Sequence, residues 1–175
     1  MKQQKRVAIL YGGKSAEHEV SLQSALNVYN AIDKEKFEPV LISIDKEGNW
    51  KLNEHIFLLK AEGKLQLTQD KSQCKELSLI PGQKSNPIKP LEHENFEKID
   101  VVFPVLHGPY GEDGSVQGFL KLAGLPYVGA GILGSALGMD KVIMKKLFHE
   151  AGIPTANFLS YNSYQKDKIT FDGSC

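Results

Sequence analysis

Three observations on this 175-residue chain predict an α/β fold with a parallel sheet. Short apolar runs recur at Val7–Tyr11, Pro39–Asp45 and Ile99–Leu106. Glycine corners follow the first and third, at Gly12-Gly13 and between Gly108 and Gly118. Segments of helical period then follow those corners. A strand, a glycine turn, a helix and a strand make one βαβ unit, whose crossover is right-handed in nearly all such units. Ligands of these folds sit at the carboxyl ends of the strands, so each corner is a candidate site.

The totals narrow the class. The 41% hydrophobic fraction is enough for a buried core, and 24% charged residues is ordinary for a water-soluble domain. Lysine plus arginine equals aspartate plus glutamate, 21 each, so no net field points to nucleic acid or a membrane surface. Two cysteines, Cys74 and Cys175, make no disulfide framework or zinc pattern. That usage suits a reducing cytosol, and the expected location is cytoplasmic. The apolar run behind the basic amino terminus ends at Tyr11, too short for a signal peptide and far from the roughly 20 residues of a membrane span.

Taken in order, Val7–Tyr11 reads as a buried parallel strand. Ser15 to Ile32 carries Val20, Leu22, Ala25, Leu26, Tyr29 and Ile32 near helical spacing, with Ser15 as the expected N-cap. Pro39–Asp45 is the second strand. Between Lys46 and Glu97 the pattern weakens to alternating pieces, Trp50–Leu52, Leu65–Thr68 and Leu77–Ile80, broken by Pro81, Pro87 and Pro90. This stretch reads as an insertion or an irregular antiparallel patch, and its His55 and His93 as solvated. Pro104 places the strand Ile99–Leu106 at an irregular or edge position, because proline removes a ladder donor. A helix over 115–123 ends before Gly124. Pro126–Ala130 reads as a further short strand. One longer helix is expected from about Ser135 to Ala151, and a short strand after Asn157.

Two readings of each corner stand on the residues alone. Glu17, His18 and Glu19 open a helix, where acids stabilise the dipole; carboxylates there also suit a bound ammonium better than a phosphate. The Gly-x-Gly-x-x-Gly fingerprint and the P-loop spacing around Lys14 are both absent. His-Gly-Pro-Tyr-Gly-Glu-Asp-Gly-Ser-Val-Gln-Gly, residues 107–118, is a glycine loop with capping acids, or a site presenting His107, Glu112 and Asp113. Gly108, Gly111 and Gly114 are expected to hold this loop tight, Gly111 with positive φ.

The pattern His-Gly-x-x-Gly-Glu-Asp-Gly-x-x-Gln-Gly, with eight of its twelve positions specified, resembles the signature of D-alanine–D-alanine ligases, bacterial cell-wall enzymes of the ATP-grasp superfamily. Gly12-Gly-Lys-Ser-Ala-Glu-His-Glu-Val-Ser is similar to their other amino-terminal signature. Met139-Asp-Lys, followed by a helix and Gly152-Ile-Pro, is similar to the opening of their ATP-grasp domain. The long middle and Phe103-Pro-Val-Leu-His-Gly resemble the longer, A-type subclass.

The resemblance implies a Rossmann-like (pre-ATP-grasp) domain over residues 1–130 and the start of an ATP-grasp domain over 131–175. It implies that Glu17 holds the ammonium of the first D-alanine as the catalytic and substrate-binding acid. It implies that His107 reaches the same subsite and that Lys141 contacts ATP. Glu112 and Asp113 would brace the loop, and the role of Glu19 stays open. The implied reaction joins two D-alanines at the expense of ATP through an acyl phosphate, for peptidoglycan synthesis. Magnesium (or manganese) would be bound mainly by parts of the enzyme outside these residues. No nucleic acid or membrane partner is implied, and the complete enzyme would be a homodimer. The family's phosphate loop, second ATP lysine, oxyanion arginine and metal acids have no counterpart in this sequence, so the chain alone is expected to be inactive. The rival expectation is a non-catalytic α/β nucleotide- or ligand-binding module. It accounts for the βαβ pattern but not for two ligase signatures in order.

Overall fold

A computed structural model describes residues 4–53, 57–61, 64–68, 74–83, 86–92 and 96–168. The chain divides into two compact units, Met1–Ala136 and Leu137–Cys175. The first is built on a sheet of six strands. β1 (Lys5–Gly12) lies between β2 (Phe37–Ile44) and β8 (Val101–Pro104), parallel to both. β3 (Trp50–Asn53), β6 (Cys74–Leu79) and β7 (Ile88–Pro90) extend the sheet antiparallel beyond β2, giving the order β7-β6-β3-β2-β1-β8. β4 (Phe57–Ala61) and β5 (Lys64–Thr68) form a separate antiparallel pair.

The period of two along β1 decides which helix covers which face. Ile9 and Tyr11 point to one side and pack with Leu41, Val105 and Ala25 of α1 (His18–Ala31). Ala8 and Leu10 point to the other and join Val40, Ile42 and Ile44 with Val116 and Leu120 of α2 (Ser115–Leu122). β1 is therefore buried on both faces, as its continuous apolar run requires. On the α2 side, Trp50 meets Phe119 edge to face at 5.8 Å between ring centroids.

Several expectations hold and several change. Pro104 ends an edge strand, which tolerates its missing donor. That strand is four residues rather than eight, because beyond Pro104 the chain turns into the loop carrying His107. The pieces at Trp50 and Leu77 are paired strands of the main sheet, with Leu52 and Leu77 buried. Pro126–Ala130 makes only a single bridge, Val102 to Tyr127, with hydrogen bonds from Val102 N to Pro126 O and from Val128 N to Val102 O. His55, His93 and Cys175 lie outside the described residues.

The single helix expected over Ser135–Ala151 is two, α3 (Ile132–Met139) and α4 (Lys141–Glu150). Asp140 makes the break. Its carboxylate accepts from the backbone N–H groups of Val142 and Ile143, each at 3.0 Å, and so starts a new helix. No strand follows Asn157 among the described residues. Phe158 and Leu159 find no neighbouring backbone ladder, and the segment runs extended into a 3-10 turn at Ser163–Lys168.

The β2–β3 turn is closed by a buried charge. Asp45 Oδ1 accepts from the backbone of Glu47, Gly48 and Asn49, and Oδ2 receives the Asn49 amide and the Lys51 ammonium, the latter at 2.8 Å. Burial opposes this charge, but Lys51 and Asn49 outweigh it and hold the carboxyl far below its ordinary value. A carboxyl lowered in the folded state stabilises the fold above its unfolded value and loses that contribution as pH falls below it. Asp45→Asn is therefore expected to cost about 1–2 kcal/mol at neutral pH. In urea titrations the gap to the parent should narrow as pH falls below 3.8. A gap independent of pH would show that the charge contributes nothing.

Candidate functional site

The sheet order brings the two signature stretches together. β2 and β8 leave β1 on opposite sides, so the crevice beyond the carboxyl ends of β1 and β8 is a topological switch point. The β1–α1 loop enters it from one side and the β8–α2 loop from the other. Three serine hydroxyls of the first segment grip the second. Ser15 Oγ donates to His107 O at 2.7 Å and accepts from Glu17 N at 3.1 Å. Ser21 Oγ donates to Val105 O and accepts from Gly12 N. Ser24 Oγ lies 3.0 Å from Nε2 of His107.

Ser15 is thus a clasp between loops, not the expected cap. The N-cap position belongs to Glu17, whose side chain makes no capping bond. Its carboxylate is exposed and turned toward the opposite loop. Gly108 has φ +71°, which strains any other residue, and a Cβ there would stand 2.5 Å from Glu17 Oε2 and push the acid aside. Glu19 is exposed and faces Lys46, at 3.9 Å. His18, read from sequence as one of three charges, is buried with Nδ1 2.7 Å from Gly13 O. Val20, expected on the buried stripe, is 52% exposed, and His18 and Ser21 take the core side of that turn instead.

The His107 loop is held by its own acids. Glu112 Oε2 accepts from Gly108 N at 2.7 Å. Asp113 accepts from Tyr110 N and Ser115 N at 2.9 and 3.0 Å. Burial opposes the Asp113 charge, yet those N–H groups keep its carboxyl below the ordinary range. Both acids are therefore committed to the loop. The left-handed residue beside Gly111 is Tyr110, with φ 67°; Gly111 itself is not left-handed. Gly111 is required for another reason. Its Cα packs so closely that a Cβ would meet Leu106 Cβ at 2.6 Å. Its carbonyl accepts from the buried Gln117 amide at 2.9 Å.

His107 is half-buried and lines, with Gly13, Ser15, Leu106, Tyr110 and Phe119, a cavity of about 280 Å³. Glu17 does not line that cavity; it meets the His107 loop at Gly108, at the same edge of the sheet. Lys141 belongs to the second unit, where it is the exposed first residue of α4. Asp140 occupies the N–H groups of Val142 and Ile143 at that helix start, and the Lys141 side chain stands exposed beside them. Among the described residues no group of three or more His, Cys, Asp or Glu is placed to hold a metal ion. No described helix is long and apolar enough to cross a membrane. Ser21 and Ser24 carried one unused signal: hydroxyls three apart on a helix share a face.

The chain is 47% identical over 170 residues to a D-alanine--D-alanine ligase of Shouchella clausii, covering 96% of this chain and 46% of that protein. It is 44% identical over 169 residues to one of Oceanobacillus iheyensis, with the same coverage. Among solved structures, the VanG D-Ala:D-Ser ligase of Enterococcus faecalis superposes with a TM-score of 0.77 at 34% identity, over 95% of this chain and 47% of that one. The chain spans about half the length of the curated relatives it matches. The family described as "D-ala D-ala ligase N-terminus" matches residues 6–130, and the chain belongs to that family.

Proposed function

We propose that this chain is the amino-terminal part of an ATP-dependent D-alanine–D-alanine ligase, with the first D-alanine held between Glu17 and His107. One observation carries the reading: the exposed Glu17 carboxylate lies against Gly108, in the loop that presents His107, at the carboxyl edge of β1 and β8. An acid and an imidazole at one crevice suit a zwitterionic amino acid. Glu17 would hold the ammonium, which is positioning rather than proton transfer.

In the complete enzyme the first carboxylate attacks the γ-phosphorus of ATP, and ADP leaves. The amine of the second D-alanine attacks the resulting acyl phosphate, loses a proton, and expels phosphate as the amide bond forms. Residues 1–130 would be the substrate domain, and 131–175 the opening of the ATP-grasp domain. Lys141 would answer one phosphate charge. Magnesium or manganese, which shields phosphate charge when bound, has no ligand group among the described residues. The complete enzyme is proposed to be a cytoplasmic homodimer serving peptidoglycan synthesis, with no nucleic acid or membrane partner.

His107→Ala in the complete enzyme is expected to lower kcat/KM for D-alanine about 2- to 12-fold, the range of one neutral hydrogen bond. The melting temperature should stay nearly unchanged. A loss of several kcal/mol with normal turnover per folded molecule would make His107 a structural residue.

A further inference from the structure

We propose that Ser24 is the positioning residue for His107, fixing which imidazole nitrogen faces the ligand; this rests on the D-alanine reading above. The geometry separates Ser24 from the other two serines. Ser15 and Ser21 hold main-chain carbonyls, of His107 and Val105, and so hold the loop. Ser24 touches the ring, at 3.0 Å from Nε2. It lies three residues beyond Ser21 on the same face of α1, and Ser21 is fully buried and bonded at both lone pair and proton. The hydroxyl therefore stands on a rigid base.

A serine hydroxyl can donate or accept, so it serves the neutral or the protonated ring. Of the two directions this bond can take in the neutral ring, the one proposed has the hydroxyl donating to Nε2 and leaving the proton on Nδ1. Among the described residues no hydrogen bond engages Nδ1. That nitrogen is then a donor of fixed direction, suited to the carboxylate of an amino acid whose ammonium Glu17 holds. Without Ser24 the ring rotates and exchanges tautomers, and binding includes the cost of choosing one.

Two measurements test this separately. In the 175-residue chain, nitrogen-15 correlation spectra of the imidazoles, with His107 assigned by its loss in His107→Ala, should show one tautomer. Ser24→Ala should give a mixture, and Ser24→Thr, which keeps the hydroxyl, should restore it. In the complete enzyme, Ser24→Ala should lower kcat/KM for D-alanine about 3- to 10-fold. It should move the pH profile of the reaction, and it should add almost nothing on a His107→Ala background. An unchanged tautomer overturns the inference, as does a full effect of Ser24→Ala when His107 is already gone. Normal kinetics for Ser24→Ala beside impaired His107→Ala overturns Ser24 alone. Normal kinetics for both variants overturns the substrate-site reading and the inference with it.

Discussion

Gly111→Val should cost about 3 kcal/mol or more of folding stability, lowering the melting temperature by about 10 °C. The residue is buried, and a new Cβ would meet Leu106 Cβ at 2.6 Å, the Leu106 carbonyl carbon at 3.1 Å and His107 N at 3.3 Å. Two of these contacts are backbone, so no rotamer change relieves them. Leu106 cannot retreat freely either, since it closes the core under α2 with Val116 and Leu120. The loss should arrive mostly with Gly111→Ala, because the first carbon already makes the clash. Thermal unfolding of both variants checks this. An alanine variant as stable as the parent would mean that the loop yields, and that glycine is not needed there for space.

That prediction was half legible from the sequence. The motif singles out the glycine, but as a positive-φ position, whereas the left-handed residue is Tyr110. A residue string shows where the backbone must be unusual, not whether the cause is a dihedral angle or a close neighbour. Other differences share this origin. β1, α1 and β2 were read correctly because their periods of two and 3.6 are local. Cys74–Leu79 reads as part of a loose patch because its partner Trp50–Asn53 lies on the far side of β4 and β5 in the chain, while Trp50–Asn53, paired with β2 across a short turn, is too brief to show a period. The break at Asp140 was hidden because apolar spacing continues on both sides while one carboxylate ends the first helix and caps the second. Within the site, Glu17 and His107 stood out through their motifs. Ser15, Ser21 and Ser24 did not, because a hydroxyl on a helix face announces neither its partner nor its burial. The switch-point crevice is a property of strand order, which places β8 beside β1 although about 90 residues separate them.

Glu17→Gln in the complete enzyme should lower D-alanine use about 10- to 150-fold, the worth of a charge-assisted hydrogen bond, and leave folding almost untouched. The second half follows from the structure. Glu17 is exposed and makes no side-chain cap, so glutamine removes no internal bond. The first half follows from where the carboxylate sits. Its Oε2 lies against Gly108 of the His107 loop, and Ser15 holds its backbone N–H at the switch-point edge of the sheet. Glutamine has the same shape and keeps an acceptor, so the change isolates the charge. While the crevice is open to water, screening holds the effect toward the lower bound; once the site is closed over substrate, it rises toward the upper. Glu19→Gln is the internal control. Its carboxylate is 74% exposed and faces Lys46 across 3.9 Å, a pair worth little at the surface. Steady-state kinetics on the two variants, with melting temperatures alongside, order the two acids. If Glu19→Gln costs more than Glu17→Gln, the ammonium site belongs at Glu19, two residues further along the chain, and the contact between Glu17 and Gly108 does not mark where the substrate binds.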